Sequence, residues 1–128
     1  MSLDQFEQIG TRGFYRPTGN ATFEQGIDLV TKAMVVARDN GCLDLLVNVY
    51  GLTGIQSPTV FARYDLAVRW AQSAGSKLRV ALVSPRALLD PEKIGVLMAQ
   101  NRGAIGDVFV DEAEAIAWLN ARQRAPGR

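Results

Sequence analysis

The sequence predicts an α/β domain with a mostly parallel, mixed sheet of four to five strands and four helices. Three observations carry this: short runs of branched aliphatics, amphipathic stretches with helical spacing, and the alternation of the two along the chain. With 128 residues, 48% of them hydrophobic and 21% charged, the chain is expected to build one domain over residues 1–120, followed by a flexible tail at 121–128. Such a domain buries enough apolar surface to fold without disulfides or metals.

The opening stretch, "FEQIGTRGFYRPTG", alternates loosely, with Gly10 and Gly13 flanking a turn and Pro17 stopping the second segment. It fits a hairpin or two edge segments. Thr22 followed by Gln25 forms a capping box, after which Phe23, Ile27, Val30, Met34 and Ala37 recur at helical spacing until Asn40-Gly41 stops the helix. "LDLLVNV" at 43–49 is the first internal strand. Ser57 and Pro58 fit the N-cap and first position of a second helix, with Phe61, Tyr64, Val68 and Ala71 as its apolar stripe and Gly75 beyond its end.

"LRVALVS" at 78–84 reads as the next strand. Its nearly continuous apolar character, like that of the first, implies burial on both faces, as in parallel strands joined by crossover helices. Asp90-Pro91 opens a third helix with Ile94, Leu97 and Met98 on one side and Gly103 past its end. "DVFV" at 107–110 is the last strand, and Asp111 with Glu114 caps a fourth helix carrying Ile116, Trp118 and Leu119.

Composition closes several functional classes. Fourteen Lys plus Arg against thirteen Asp plus Glu give a net charge of +1, with the signs mixed, so no long-range field attracts nucleic acid or an anionic membrane. The basic tail residues Arg122, Arg124 and Arg128 read as a solvated terminus. The uncharged run from Leu45 to Ala62 is interrupted by Asn48, hydroxyl residues, glycines and Pro58, so it is no membrane span, and the acidic N-terminus carries no secretion signal. A cytoplasmic, non-membrane protein is expected. There is no histidine, which removes the Ser-His and Cys-His nucleophile arrangements, and Cys42 stands alone as a buried, inert thiol. No cofactor, metal or catalytic residue is expected.

The stretch that invites a functional reading is "NVYGLTGIQSPTVF", residues 48–61. It follows a strand and opens a helix, the place where ligand sites gather in open α/β sheets. Its two glycines lack the spacing of a phosphate cradle, and no Lys-Ser or Lys-Thr follows. Tyr50, Ile55, Gln56, Ser57 and Thr59 are therefore the candidate binding or regulatory residues, with helix capping by Ser57 and burial of Ile55 and Tyr50 in the loop as the structural alternatives. Asp111, Glu112 and Glu114 suit helix capping, and Asp39 and Asp44 suit turn and surface roles. Arg63 and Arg69 suit either an anion or a solvated helix face. Trp70 and Trp118 are either exposed at a homodimer interface or buried in the core.

The order of a leading hairpin, a Thr-capped helix, "LLVNVYGLTG", a helix opening at Ser-Pro, "KLRVALVSPR" and the closing "VFVDEAEAIAWL" resembles the STAS domain group, and within it the bacterial SpoIIAA-like proteins, over residues 5–119. The resemblance implies the SpoIIAA-like βα arrangement and a non-enzymatic regulatory module that acts through contact with another protein. Some relatives of that fold bind lipids or nucleotides. In the anti-sigma-factor antagonists, an Asp-Ser-Ser-Gly or Asp-Ser-Thr-Gly stretch opens the second helix, and its second hydroxyl residue accepts phosphate. Here the matching "QSPT" places Gln56 at the acid, Ser57 at the first hydroxyl, Pro58 at the acceptor and Thr59 at the glycine. A phosphorylated switch would need Ser57 or Thr59 to take over from Pro58. The alternatives implied are thus a protein-interaction module, such a switch, or a carrier of a small ligand or lipid.

Overall fold

The computed structural model describes residues 3–56, 58–89 and 93–124, so Ser57 and the Asp90-Pro91 pair lie outside the described residues. The architecture is α/β. Seven strands are described: β1 (Phe6–Ile9), β2 (Arg12–Tyr15), β3 (Gly19–Asn20), β4 (Asp44–Asn48), β5 (Leu52–Thr53), β6 (Arg79–Val83) and β7 (Ile105–Phe109). Five of them form a mixed sheet of order β1-β2-β4-β6-β7 that is parallel except for the β1–β2 pair. β1 and β2 form a true hairpin, and Gly13 lies within β2 rather than in the turn. β4, β6 and β7 follow in parallel register.

Side chains alternate across this sheet, which explains the continuous apolar runs. Leu45, Val47, Val80, Leu82 and Val108 join the core beneath α1 (Phe23–Asp39), α2 (Val60–Ala74) and α3 (Ile94–Asn101). Leu46, Ala81 and Val83 point the other way and pack with Ala115 and Leu119 of α4 (Glu112–Arg124). Both faces of a parallel sheet are thereby covered, as its apolar strands require. α1 starts at the expected capping box: Thr22 accepts from the Gln25 amide at 3.1 Å and Gln25 accepts from the Thr22 amide at 2.9 Å. Its buried stripe includes Ile27, Val30, Met34 and Ala37, as the spacing predicts.

α2 departs from expectation at both its start and its buried face. The helix begins at Val60 and is capped by Thr59, whose hydroxyl accepts from the Ala62 amide at 3.1 Å, so Pro58 precedes the cap and does not open the helix. Its buried residues are Ala67, Trp70 and Ala74, while Phe61 and Tyr64 are exposed. α2 packs against α1 and α3, and the small alanines let these helices approach closely, so the seam follows them and the indole between them instead of the bulkier stripe. In α3, likewise, Val96 and Ala99 are buried, whereas Ile94 and Leu97 are exposed. α4 is capped by Asp111, which accepts from the Glu114 amide at 2.8 Å, and the helix continues to Arg124.

Trp70 is 2% exposed, and Trp118 is half-buried against Phe109 with ring centroids 5.7 Å apart. Trp70 is thus a core residue, whereas Trp118 keeps part of its indole at the surface. Asp44 is not at the surface. Parallel register aligns Arg12, Asp44 and Arg79 across three strands, and the fully buried carboxylate takes Arg12 Nε at 2.9 Å and Arg79 Nη2 at 3.7 Å. Cys42 is buried as expected, and burial, helped by the Asp44 charge, pushes its thiol above the ordinary value.

Candidate functional site

The loop after β4 is built from backbone before side chains. Val49 extends the ladder through its amide to Val83 O at 3.0 Å, and the chain turns back with Leu52 N donating to Val49 O at 3.0 Å. Leu52–Thr53, β5, then pairs in parallel with Gly19–Asn20, β3, forming a two-residue ribbon that the sequence did not announce. The two glycines are explained by this contact. A Cβ at Gly51 would stand 2.7 Å from the Pro17 carbonyl oxygen, and one at Gly54, where φ is +85°, would stand 2.6 Å from Asn20 Oδ1. Both positions serve close approach of two chain segments.

The ribbon divides the candidate residues between the two sides of the sheet. On the α4 side, the Tyr50 amide donates to Asn48 Oδ1 at 2.9 Å and its hydroxyl donates to the Val110 carbonyl. Asn48 Nδ2 donates to Glu112 at 2.7 Å, and Arg16 holds the same carboxylate with two bonds at 2.8 and 3.0 Å. The Arg16 guanidinium first, and Asn48 in addition, keep the Glu112 carboxyl below its ordinary value against a smaller opposing effect of burial. This cluster ties the ends of β2 and β4 to the start of α4. Tyr50 is thus about half exposed but anchored.

On the other side lies an apolar pocket of about 90 Å³. Phe23, Ile27 and Val30 of α1, Leu66 and Trp70 of α2, and Val96 of α3 line it, together with Leu82 and Val108 of the sheet. Leu52 and Ile55 close it from the loop, with Ile55 packing near Gly26 of α1. Ser84, buried, lines the same wall; its hydroxyl reaches only the Pro85 carbonyl, at 3.4 Å. Trp70 Nε1 is buried without a hydrogen-bond partner among the described residues. At the α2–α3 side the exposed apolar residues gather: Val60, Phe61 and Tyr64 on α2, Ile94 and Leu97 on α3, with Phe61 85% exposed. Arg102 stacks over the Tyr64 ring at 5.2 Å and donates to its hydroxyl at 3.1 Å.

Of the candidate residues in the 48–61 stretch, the structure brings Ile55 to the pocket, and of the other residues singled out from sequence it brings Arg63 and Trp70 there. Tyr50 faces the α4 cluster, Gln56 is exposed, Thr59 caps α2, and Ser57 lies outside the described residues. Sequence reasoning missed the pocket walls because Ile27, Val30, Trp70 and Val108 carry the same apolar signal as any core residue. Arg69 proves to be a structural helix-face charge, paired with Asp28 at 2.6 Å and Asp65 at 3.8 Å, whereas Arg63 lines the pocket. Among the described residues no group of three His, Cys, Asp or Glu side chains could hold a metal ion, and no helix is long and apolar enough to cross a membrane. Compared with known proteins, the chain matches no family model, no curated protein and no solved structure.

Proposed function

We propose that this domain is a non-catalytic binding module that takes an apolar group into the pocket beneath the 50–59 loop. The observation that carries the reading is the pocket wall itself, which is hydrocarbon and aromatic apart from Ser84 and the two cations Arg63 and Lys93. Among the described residues the wall holds no carboxylate, and its one lysine, Lys93, is paired with Asp107, so nothing described there activates the Ser84 hydroxyl, which supports binding over turnover. Concave, mostly apolar sites with a few polar groups are the usual form of small-molecule sites. Thr59 uses its hydroxyl as a helix cap, so a phosphorylated switch there has a structural role to displace.

A titration with hexanol followed by methyl NMR tests the proposal. Shifts confined to Val30, Leu52, Leu66, Val96 and Val108 are expected; no shift up to the solubility limit, or shifts spread over the whole surface, would refute it.

A second reading is favoured by Val60, Phe61, Tyr64 and Leu97, whose exposure on α2 and α3 suits contact with another protein beside the pocket. Capture of a partner that is lost on Phe61→Ser, with hexanol binding unchanged, would favour it. The order of elements, from the leading hairpin to the capped closing helix, also supports kinship with the STAS group.

A further inference from the structure

The geometry points to a small monocarboxylate with a short apolar tail as the occupant of the pocket, its tail in the cavity and its carboxylate against Arg63. This rests on the apolar-pocket reading above and adds the chemistry of the head group and the length of the tail.

Among the described residues, the charged side chains lining the pocket are Arg63 and Lys93, and both are cations. Lys93 is committed to Asp107 at 3.0 Å. Arg63 is half-buried, and its side chain has no ion pair or hydrogen bond among the described residues; its backbone amide donates to the Thr59 carbonyl at 3.0 Å. A guanidinium partly withdrawn from water beside hydrocarbon walls, with no counter-charge, is where a carboxylate gains most from a bidentate charged hydrogen bond. Gly95 of α3 packs beside Arg63, where a Cβ would stand 3.5 Å from the Arg63 carbonyl oxygen and 3.7 Å from its Cβ.

Size decides the tail. At about 90 Å³ the cavity is smaller than the apolar cavities of about 150 Å³ that take up benzene, so a long acyl chain or a polycyclic ligand does not fit the pocket as it stands. A chain of about four to six carbons, partly emerging at the mouth, does.

Calorimetric titration of the whole chain with hexanoate, hexanol and hexylamine at neutral pH tests this, using the wild type and Arg63→Gln, with a thermal melt to show that the variant is folded. Hexanoate is expected to bind at least about tenfold more tightly than hexylamine, and Arg63→Gln to weaken hexanoate about tenfold while leaving hexanol unchanged. The indole of Trp70, buried in the wall, gives an independent fluorescence readout once Trp118→Phe removes the other tryptophan. Hexanol and hexanoate binding equally, or Arg63→Gln leaving hexanoate untouched, would overturn the carboxylate assignment while the pocket reading stands. Absence of binding by both hexanol and hexanoate would overturn the two together.

Discussion

The two faces of the sheet solve the same burial problem differently. On one, a single helix lies directly on the strands: Ala81 and Ala115 let it approach, Leu46, Val83 and Leu119 fill the central seam, and Arg16, Asn48 and Glu112 tie down the rim. An open hollow beside the hairpin, lined by Arg12, Phe14 and Asn120, stays unfilled there. On the other, three helices and a loop must converge over the carboxyl ends of the strands, and their junction leaves a cavity with exposed apolar residues beside it. One small-residue contact closes a surface; a junction of four segments does not. The sealed face is built for stability, and the open one has room for a ligand.

The sharpest way to break this contrast is at the amino end of the sealed face. Asp44→Ala leaves Arg12 and Arg79 side by side without their shared carboxylate, and a loss of about 3–5 kcal/mol in urea unfolding is expected, with hexanol binding in the still-folded fraction unchanged. A loss below about 1 kcal/mol would show that water reaches those arginines and that this face is not sealed there.

Matched insertions compare the faces directly. Val83→Ile and Val108→Ile each add one methylene to a strand, the first against α4 and the second against the pocket. Overpacking should make the former cost about 1–3 kcal/mol, while the latter stays within about 1 kcal/mol and weakens hexanol binding. Equal costs would erase the distinction.

Smaller effects belong to the rims. Thr59→Ala removes the cap of α2 and should cost about 1 kcal/mol by thermal melting, restored by Thr59→Ser or Thr59→Asp; a loss of partner or ligand binding larger than the loss of stability would give Thr59 a role beyond capping.

Glu112 supplies the pH-dependent test. Arg16 holds its carboxyl below the ordinary value in the folded chain, so its contribution is present above the unfolded carboxylate value and is lost as pH falls through the lower folded one. Because this pair is well exposed to solvent, Glu112→Gln should cost under about 1 kcal/mol at neutral pH. The difference from wild type should vanish in acid and shrink in high salt, as circular dichroism melts would record. A difference that persists below the carboxylate range would mean that packing, not charge, holds this rim.

Much of the fold was legible because it is written locally. The Thr22–Gln25 box, the Asp111 cap, the stop at Gly75 and the aliphatic runs of β4 and β6 each act within a few residues, and each stands where the pattern places it. Helix faces were less legible. Phe61 and Leu97 look like core residues by hydropathy, yet Ala67 and Ala99 take the buried positions because small side chains set how closely two backbones approach. The site was the least legible part: Ile55 was singled out, but Leu66, Trp70 and Val108 became pocket walls only when α1, α2 and the sheet met around them.

The sequence by itself determined the class of fold, the alternation of strands and helices and most helix ends, since propensity, capping and periodicity are short-range. Tertiary contacts alone set the burial of Asp44 between two arginines, the admission of a second loop at Gly51 and Gly54, and the place of Arg63 beside an apolar pocket. Those facts depend on register and on how rigid elements meet, and the volume left between packed helices is a property of their geometry that no single segment contains.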